Sequence, residues 1–330
     1  MGYREVYEGW KAEPEAFWME AAKEIDWLWD SLIPYEKTTI LEGDPELGKS
    51  YLCMHLGALV TTGGKLPDGS RVDKGNVLYI SSEDDAADTI RPRMEQMGAD
   101  LKRVRVLDDF LLFDDKGLVR LREELDEHTP DLVVIDTLYS FLSGKVDLGK
   151  PTSIRAALHE LDRLFKEYGP AVIAMRHWTK GGKGKAIYRG VGSIDVIGVA
   201  RTALAVAKHP ENDNLRILAQ VKNNIGAKPK SFVYEIVPQP KGLPIIEWRG
   251  TTHYSADDLE RQGQDDQSEE ARAVEFLREV LAKGPLPSSE LFIRAADADI
   301  SRPTLNRAKR EAGAKSVKEG KAWIWKLDKS

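Results

Sequence analysis

From about Lys37 to Pro240 the chain alternates short, β-branched apolar runs with stretches whose apolar residues recur at helical spacing. That is the pattern of a wound α/β sheet. The strand-like runs are TTIL, NVLYIS (76–81), RVRVL (103–107), DLVVID (131–136), AVIAMR (171–176), TALAVA (202–207), LRILAQV (215–221) and FVYEIV (232–237). The last three lie close together with short polar connections, which predicts a sheet that ends in antiparallel strands. Ahead of this region, Phe17, Ala21, Ile25 and Leu28 repeat at helical spacing, so residues 1–36 are expected to form a helical arm, packed on its own domain or laid on a neighbouring subunit. Behind it, PQPKGLP and then SADDLERQGQDDQSEE read as a linker.

A compact unit follows. The pattern predicts a helix over 268–283, a turn at GPLPSS, a short helix near 288–296, and a third helix that opens at Ser301 and Pro303 and closes at Gly313. SVKEGKAWIWKL then reads as a ribbon turning at Glu319-Gly320. Helix, helix, basic helix, ribbon is the order of a winged helix-turn-helix. The expected organisation is a helical arm at 1–36, an α/β core at 37–245, a linker at 246–267 and a winged helix-turn-helix domain at 268–330.

Composition narrows the class. The chain has 330 residues, 42% of them hydrophobic, and a formal charge of −6, so any nucleic-acid binding must come from local basic patches. One such patch is the stretch 301–330, with nine Lys/Arg against three acids. The single cysteine, Cys53, can form no internal disulfide, which suits a reducing cytoplasm. No signal-like opening is present, and the apolar run DVIGVARTALAVA is broken by Arg201. A soluble, cytoplasmic protein with no membrane partner is expected.

The strongest chemical signal is LEGDPELGKSYL, residues 41–52, where Gly43, Gly48, Lys49 and Ser50 have the spacing G-x-x-x-x-G-K-S between a strand-like run and a helical one. The backbone from Gly43 through Asp44, Pro45, Glu46, Leu47, Gly48 and Lys49 to Ser50 and Tyr51 can cradle phosphates. Lys49 can neutralise the β/γ oxygens and the Ser50 hydroxyl can ligate Mg²⁺. A nucleoside triphosphate and Mg²⁺ are the implied ligands, the loop reading the phosphates and not the base. Glu46 should repel phosphates unless it points outward. Asp136, which ends LVVI, is placed to hold the metal, a turn or capping role being the alternative. Glu83, after VLYIS, can orient or deprotonate water; a capping role with Ser82 is the alternative, and Asp84 is the other candidate base. His177, at the end of AVIAMR, is a γ-phosphate sensor or a structural histidine.

The segment WTKGGKGKAIYRG carries Lys180, Lys183, Lys185 and Arg189 without one acid, and Trp178 or Tyr188 could stack on a base. It reads as a contact for single-stranded DNA or as a solvated basic loop. SFLSGKVDLGK, with Lys145 and Lys150, is a second such candidate. In the C-terminal unit Arg307 and Arg310 are candidates for contact with duplex DNA, a protein partner being the alternative.

Residues 37–237 resemble the RecA-like P-loop ATPase core, and most closely the plasmid RepA-type hexameric replicative helicases. The resemblance is carried by EGDPELGKS, VLYISSEDD with TIRPRMEQMGAD, VVIDTLYSFLSGKVD, RHWTKGGKGKAIYRGVGSID, GVARTALAV and VKNN. It implies that Glu83 activates water, that Asp136 supports the metal and that His177 couples the γ-phosphate to DNA-binding loops facing the channel of a ring. It further implies that Arg201 is an arginine finger inserted into the neighbouring subunit's site, with Lys222 close to it. Relatives generally carry Gly where this chain has Glu46. From the residues alone, Arg201 amid apolar neighbours needs a carboxylate or a phosphate, and a salt bridge to Asp195 remains the alternative to a finger. The expected function is an ATP-driven, ring-forming helicase on single-stranded DNA. The alternatives are a recombination or repair accessory ATPase that does not unwind and a nucleotide-gated regulator that binds duplex DNA. Arg91 and Arg93 receive no role.

Overall fold

A computed structural model of the protein describes residues 23–107, 112–142, 146, 151–177, 197–320 and 322–328. The described chain enters through a short antiparallel pair, β1 (Trp27–Trp29) and β2 (Ile33–Pro34). The helical arm expected through Leu28 is therefore not what forms there. Trp29 is instead packed against Phe232 and Trp248, with ring centroids 5.0 and 5.8 Å away. Burying that indole against the sheet outweighs the helical spacing of Ile25 and Leu28, while Phe17 and Ala21 lie outside the described residues.

The centre is a nine-stranded sheet. Its strands are β3 (Thr38–Gly43), β4 (Val77–Ser81), β5 (Val104–Leu107), β6 (Leu132–Asp136), β7 (Ala171–His177), β8 (Thr202–His209), β9 (Asn212–Asn223), β10 (Ser231–Val237) and β11 (Ile245–Thr252). They lie in the order β11-β10-β9-β8-β3-β7-β6-β4-β5. The six strands from β8 to β5 in this order run parallel, and β9, β10 and β11 continue the sheet antiparallel. This is an α/β fold of the RecA-like P-loop kind. β3, β4 and β6 are buried throughout, as expected for strands covered on both faces.

Two helical layers do the covering. On one face, α1 (Lys49–Thr62) and α2 (Arg91–Gln96) pack Leu52, Met54, Leu56 and Met94 on Leu41, Tyr79, Val134 and Ile173. On the other, α3 (Asp115–His128), α4 (Leu138–Phe141) and α5 (Pro151–Tyr168) pack Leu121, Phe141 and Phe165 on Ile40, Ile80, Val133 and Ala174.

The stretch expected to be a linker is ordered structure. β11 pairs with β10 along its length, and α6 (Ala256–Ala282) starts at Ser255, whose hydroxyl and Asp258 form a reciprocal capping box. Ala256 and Leu259 bury against Ala207, Ile217 and Val233 of the sheet. The run is polar by composition, but its cap and two buried residues are enough to anchor a helix.

Beyond α6 come β12 (Leu286–Pro287), α7 (Ser288–Asp297), α8 (Arg302–Glu311), β13 (Ala314–Glu319) and β14 (Ala322–Leu327). The three strands form a small sheet in the order β12-β14-β13. A separate core of Leu277, Leu291, Leu305, Ala308 and Trp325 holds these elements together. Among the described residues no helix is long and apolar enough to cross a membrane.

Candidate functional site

Strand register brings the chemistry together. In the β3–β7 pair Gly43 stands beside His177, and in the β4–β6 pair Ser81 stands beside Asp136. The loop after β3, the SSEDD turn after β4, Asp136 and His177 thus share the carboxyl end of the sheet, where an open α/β fold places its ligands.

The loop conformation needs its glycines. Gly43 has φ 152°, and a Cβ there would lie 2.4 Å from the Val206 carbonyl oxygen. Gly48 has φ 79° and caps α1 with a left-handed residue, which leaves the first N–H groups of the helix pointing into the loop. Glu46 also has a positive φ, 66°, and is exposed. The outward orientation is the one in which its charge interferes least with an anion.

Lys49 is buried, and its ammonium turns back onto the loop. It donates to the carbonyls of Gly43 at 3.0 Å and Asp44 at 2.8 Å, and to Nδ1 of His177 at 3.1 Å. Burial holds its pKa below the ordinary lysine value, with Asp136 and Asp44 opposing. On the far side of the imidazole, Nε2 of His177 is 3.8 Å from the Glu83 carboxylate, whose side chain is 54% exposed. Burial and the Lys49 charge lower the His177 pKa, and Glu83 acts in the other direction.

Asp136 is 3% exposed and accepts hydrogen bonds from the Ser50 and Tyr79 hydroxyls, the latter at 3.0 Å. Burial nevertheless pushes its carboxyl up to about 6, with the charges of Glu83 and Asp84 adding to the effect. A buried carboxylate held high, beside a serine hydroxyl and a phosphate-type loop, fits a divalent cation that supplies the missing positive charge. Among the described residues no cluster of three or more His, Cys, Asp or Glu could hold a metal alone.

The alternatives left open by the sequence separate here. Asp84 accepts from Arg93 Nη1 at 3.0 Å, and the Arg93 guanidinium lies 4.9 Å from the Tyr51 ring centroid. Arg93 therefore has a partner and a place beside the loop that the sequence did not signal. The capping role expected of Ser82 and its neighbours falls to Asp85, whose carboxylate accepts from the N–H groups of Ala87 and Asp88. Glu83 is the carboxylate that faces His177.

Arg201 is not brought to this site. It is exposed, at the bend before β8, where Thr202 pairs with Thr39 at the start of β3. It is not enclosed by its apolar neighbours, because Ile197, Ala200 and Ala203 bury into the core while its own side chain stays at the surface. Lys222 is likewise remote from the loop. Its ammonium donates to the carbonyls of Ile197, Gly198 and Ala200 at 2.7, 3.2 and 2.8 Å, just before Arg201. Lys145, Lys180, Lys183, Lys185, Arg189 and Asp195 lie outside the described residues. Arg307 and Arg310 are exposed on α8, on the face opposite buried Leu305 and Ala308.

Sequence reading also missed a buried pair beneath the loop, Glu42 with Arg176, in which Nε donates to Oε2 at 2.9 Å. The available signal was a lone charge in each of two apolar strands, at positions that only a strand register makes adjacent.

Residues 11–183, more than half of the chain, match the family described as AAA domain. The chain is similar to proteins named DNA repair protein RadA. It is 24% identical over 199 residues to that of Streptococcus pyogenes, covering 60% of this chain and 38% of the relative. For Streptococcus pneumoniae the figures are 24% over 199 residues, 60% and 41%, and for Chlamydia trachomatis 21% over 227 residues, 64% and 44%. The chain thus spans about two fifths of the length of the curated relatives it matches.

Proposed function

The chain belongs to the AAA domain family, and from that premise we propose that it hydrolyses ATP as a ring-forming motor, a hexamer, that acts on single-stranded DNA as a replicative-type helicase. In this reading the Gly43–Tyr51 backbone binds the phosphates and Lys49 leaves its loop carbonyls for the β/γ oxygens. Ser50 and Asp136 hold Mg²⁺, which when bound neutralises the phosphate charge. Glu83 orients the attacking water and accepts its proton, and His177, between Lys49 and Glu83, registers whether the loop is filled. Lys145, Lys180, Lys183, Lys185 and Arg189 contact the DNA strand. The order of α7, α8 and the β13–β14 ribbon, with the small sheet they share, supports a winged helix-turn-helix whose Arg307 and Arg310 meet duplex DNA or a protein partner.

The observation that carries the reading is the position of Arg201. It precedes the residue paired with Thr39, whereas the loop begins at Gly43, so roughly 15 Å of strand separates the two at about 3.3 Å per residue. An exposed arginine at that end, its charge close to the Asp162 carboxylate, cannot reach its own loop, which supports a role at a neighbour's. Hydrolysis would then depend on assembly, because a finger supplied in trans contributes roughly 10³ to 10⁵ in rate.

A second reading is favoured by the names of the relatives, which are DNA repair proteins. The same ATPase would then be a recombination or repair accessory that binds DNA without unwinding it. Strand displacement by the wild-type chain separates the two readings.

The test is steady-state ATP hydrolysis without DNA, with single-stranded DNA and with blunt duplex, on the wild type, Lys49→Ala, Arg201→Ala and a mixture of both variants. Stimulation by single strands, lost in each variant and partly restored in the mixture, is expected. Hydrolysis indifferent to DNA and to Arg201 would remove the motor.

A further inference from the structure

Glu42 and Arg176 are partners in the β3–β7 register, one residue before Gly43 and His177. Both side chains are completely buried, and Arg176 donates to one Glu42 oxygen through both Nε and Nη2. Strand alternation puts the pair on the face of Ile40 and Ala174, the side covered by α4 with its buried Leu138 and Phe141. Arg176 Nη1 has no hydrogen-bond partner among the described residues.

Stability is a weak account of such a pair. Desolvation offsets much of the attraction between two fully buried charges, and apolar side chains of similar volume often do as well or better. Apolar contacts, however, tolerate small shifts of one strand along another. A guanidinium fork on a carboxylate has a narrow geometry and does not. The next register step is the one on which the site depends: the Lys49 ammonium bonds to the Gly43 carbonyl on β3 and to the His177 ring on β7.

We infer that Glu42 and Arg176 are positioning residues whose buried fork fixes the end of β3 against the end of β7, keeping His177 in reach of Lys49 and Glu83, so that the pair serves turnover and not nucleotide affinity. The inference rests on the reading of this loop as an ATP site.

The test compares the full chain with the paired variant Glu42→Leu/Arg176→Met, which leaves no buried charge behind, and with Arg176→Lys, which keeps the charge but not the fork. Four quantities are measured: the thermal midpoint, the affinity for a fluorescent ATP analogue, kcat with single-stranded DNA, and the NMR titration of the His177 imidazole. For the paired variant, a folded protein is expected whose analogue affinity changes by no more than about threefold, while kcat falls by roughly 10², the cost of a misplacement near 1 Å. The His177 titration is expected to move up toward the ordinary imidazole range as the ring leaves the Lys49 charge. Arg176→Lys is expected not to restore kcat. A folded paired variant with unchanged kcat and unchanged His177 titration overturns the inference. So does full activity in Arg176→Lys, or a loss of kcat matched by equal losses of analogue affinity and thermal stability. If the wild type hydrolyses no ATP, the reading of the site fails on its own, and the His177 titration still decides for or against the positioning role.

Discussion

Lys49 donates a hydrogen bond of 3.1 Å to Nδ1 of His177, so the neutral ring carries its proton on Nε2, the nitrogen that faces Glu83 across 3.8 Å. Burial and the lysine charge both keep the imidazole below its usual pKa. Phosphates in the loop would draw Lys49 away and add negative charge, and both changes favour the imidazolium. A non-hydrolysable ATP analogue with Mg²⁺ is therefore expected to raise the NMR titration midpoint of His177, and Lys49→Ala is expected to raise it without nucleotide. A midpoint that stays put in both experiments would mean that the ring does not sense the loop.

Glu46 occupies a left-handed backbone position on the exposed rim of the loop, with φ 66°. Glycine adopts that conformation without a Cβ penalty and brings no charge. For Glu46→Gly, the apparent ATP affinity is expected to rise by up to roughly fivefold at low salt, since a unit charge about 4 Å away in water is worth about 1 kcal/mol. The gain should shrink as ionic strength rises. Stability should stay within about 1 kcal/mol, relief of the backbone strain being opposed by the greater freedom of glycine in the unfolded chain. A gain that does not change with salt would point to loop geometry and not to charge.

His55, on α1, accepts a hydrogen bond from the Trp248 indole N–H at 3.1 Å, and burial lowers its pKa to about 4. In the unfolded chain the ring titrates near 6.5. Between those values the unfolded state binds the extra proton, so the stability present above pH 6.5 falls as pH drops toward 4, by about 3 kcal/mol in all. His55→Gln keeps an acceptor for Trp248 and removes the titration. Urea unfolding from pH 7 to 4 should show a shallower loss for the variant, by up to about 1.4 kcal/mol per pH unit. Parallel curves would mean that His55 is protonated in the folded protein.

The exposed face of α8 carries Asn306, Arg307 and Arg310, while Thr304, Leu305 and Ala308 are buried beneath it. Removing either arginine should leave the fold intact. If this face meets duplex DNA, Arg307→Ala and Arg310→Ala should each weaken binding about equally across sequences and lower the slope of log K against log salt by about 1. Unchanged duplex binding in the double variant would leave the protein-partner alternative for this module.

The parallel core was legible because its central strands are apolar runs long enough to be buried on both faces, and all eight of the runs read from the sequence form strands of the sheet, the half-buried edge strand β5 among them. The ninth strand was not legible. Ile246 and Trp248 alternate with Glu247 and Arg249 behind a turn-like PKGLP, so a covered edge read as the start of a linker. The hairpin at Trp27–Pro34 escaped for a related reason: what fixes it is Trp29 meeting Phe232 and Trp248, partners about two hundred positions away. At the site, the loop, Asp136, Glu83 and His177 announced themselves as polar residues at strand ends. Glu42 with Arg176, and Arg93 with Asp84, are side-chain pairs set by register and by a helix turn, and no local pattern encodes them.

The surroundings of Arg201 yield the last prediction. The Lys222 ammonium gathers the carbonyls of Ile197, Gly198 and Ala200, while the Asn224 N–H donates to the carbonyl of Arg201 itself at 3.2 Å. The segment that presents the arginine is therefore held from both sides by the end of β9. Burial and the nearby Arg201 charge lower the Lys222 pKa, as expected for an ammonium committed to backbone carbonyls with a cation nearby. Lys222→Met would leave those carbonyls to water and let Arg201 wander. If Lys222 acts only by holding Arg201, kcat with single-stranded DNA should fall by roughly 10 to 10² with KM little changed. Adding Lys222→Met to Arg201→Ala should then cost nothing further, because the two residues work as one unit. If Lys222 itself reaches a neighbour's phosphates, the double variant should be worse than either single one and KM for ATP should rise. Kinetics of the three variants at saturating DNA decide between a clamp and a second cationic finger.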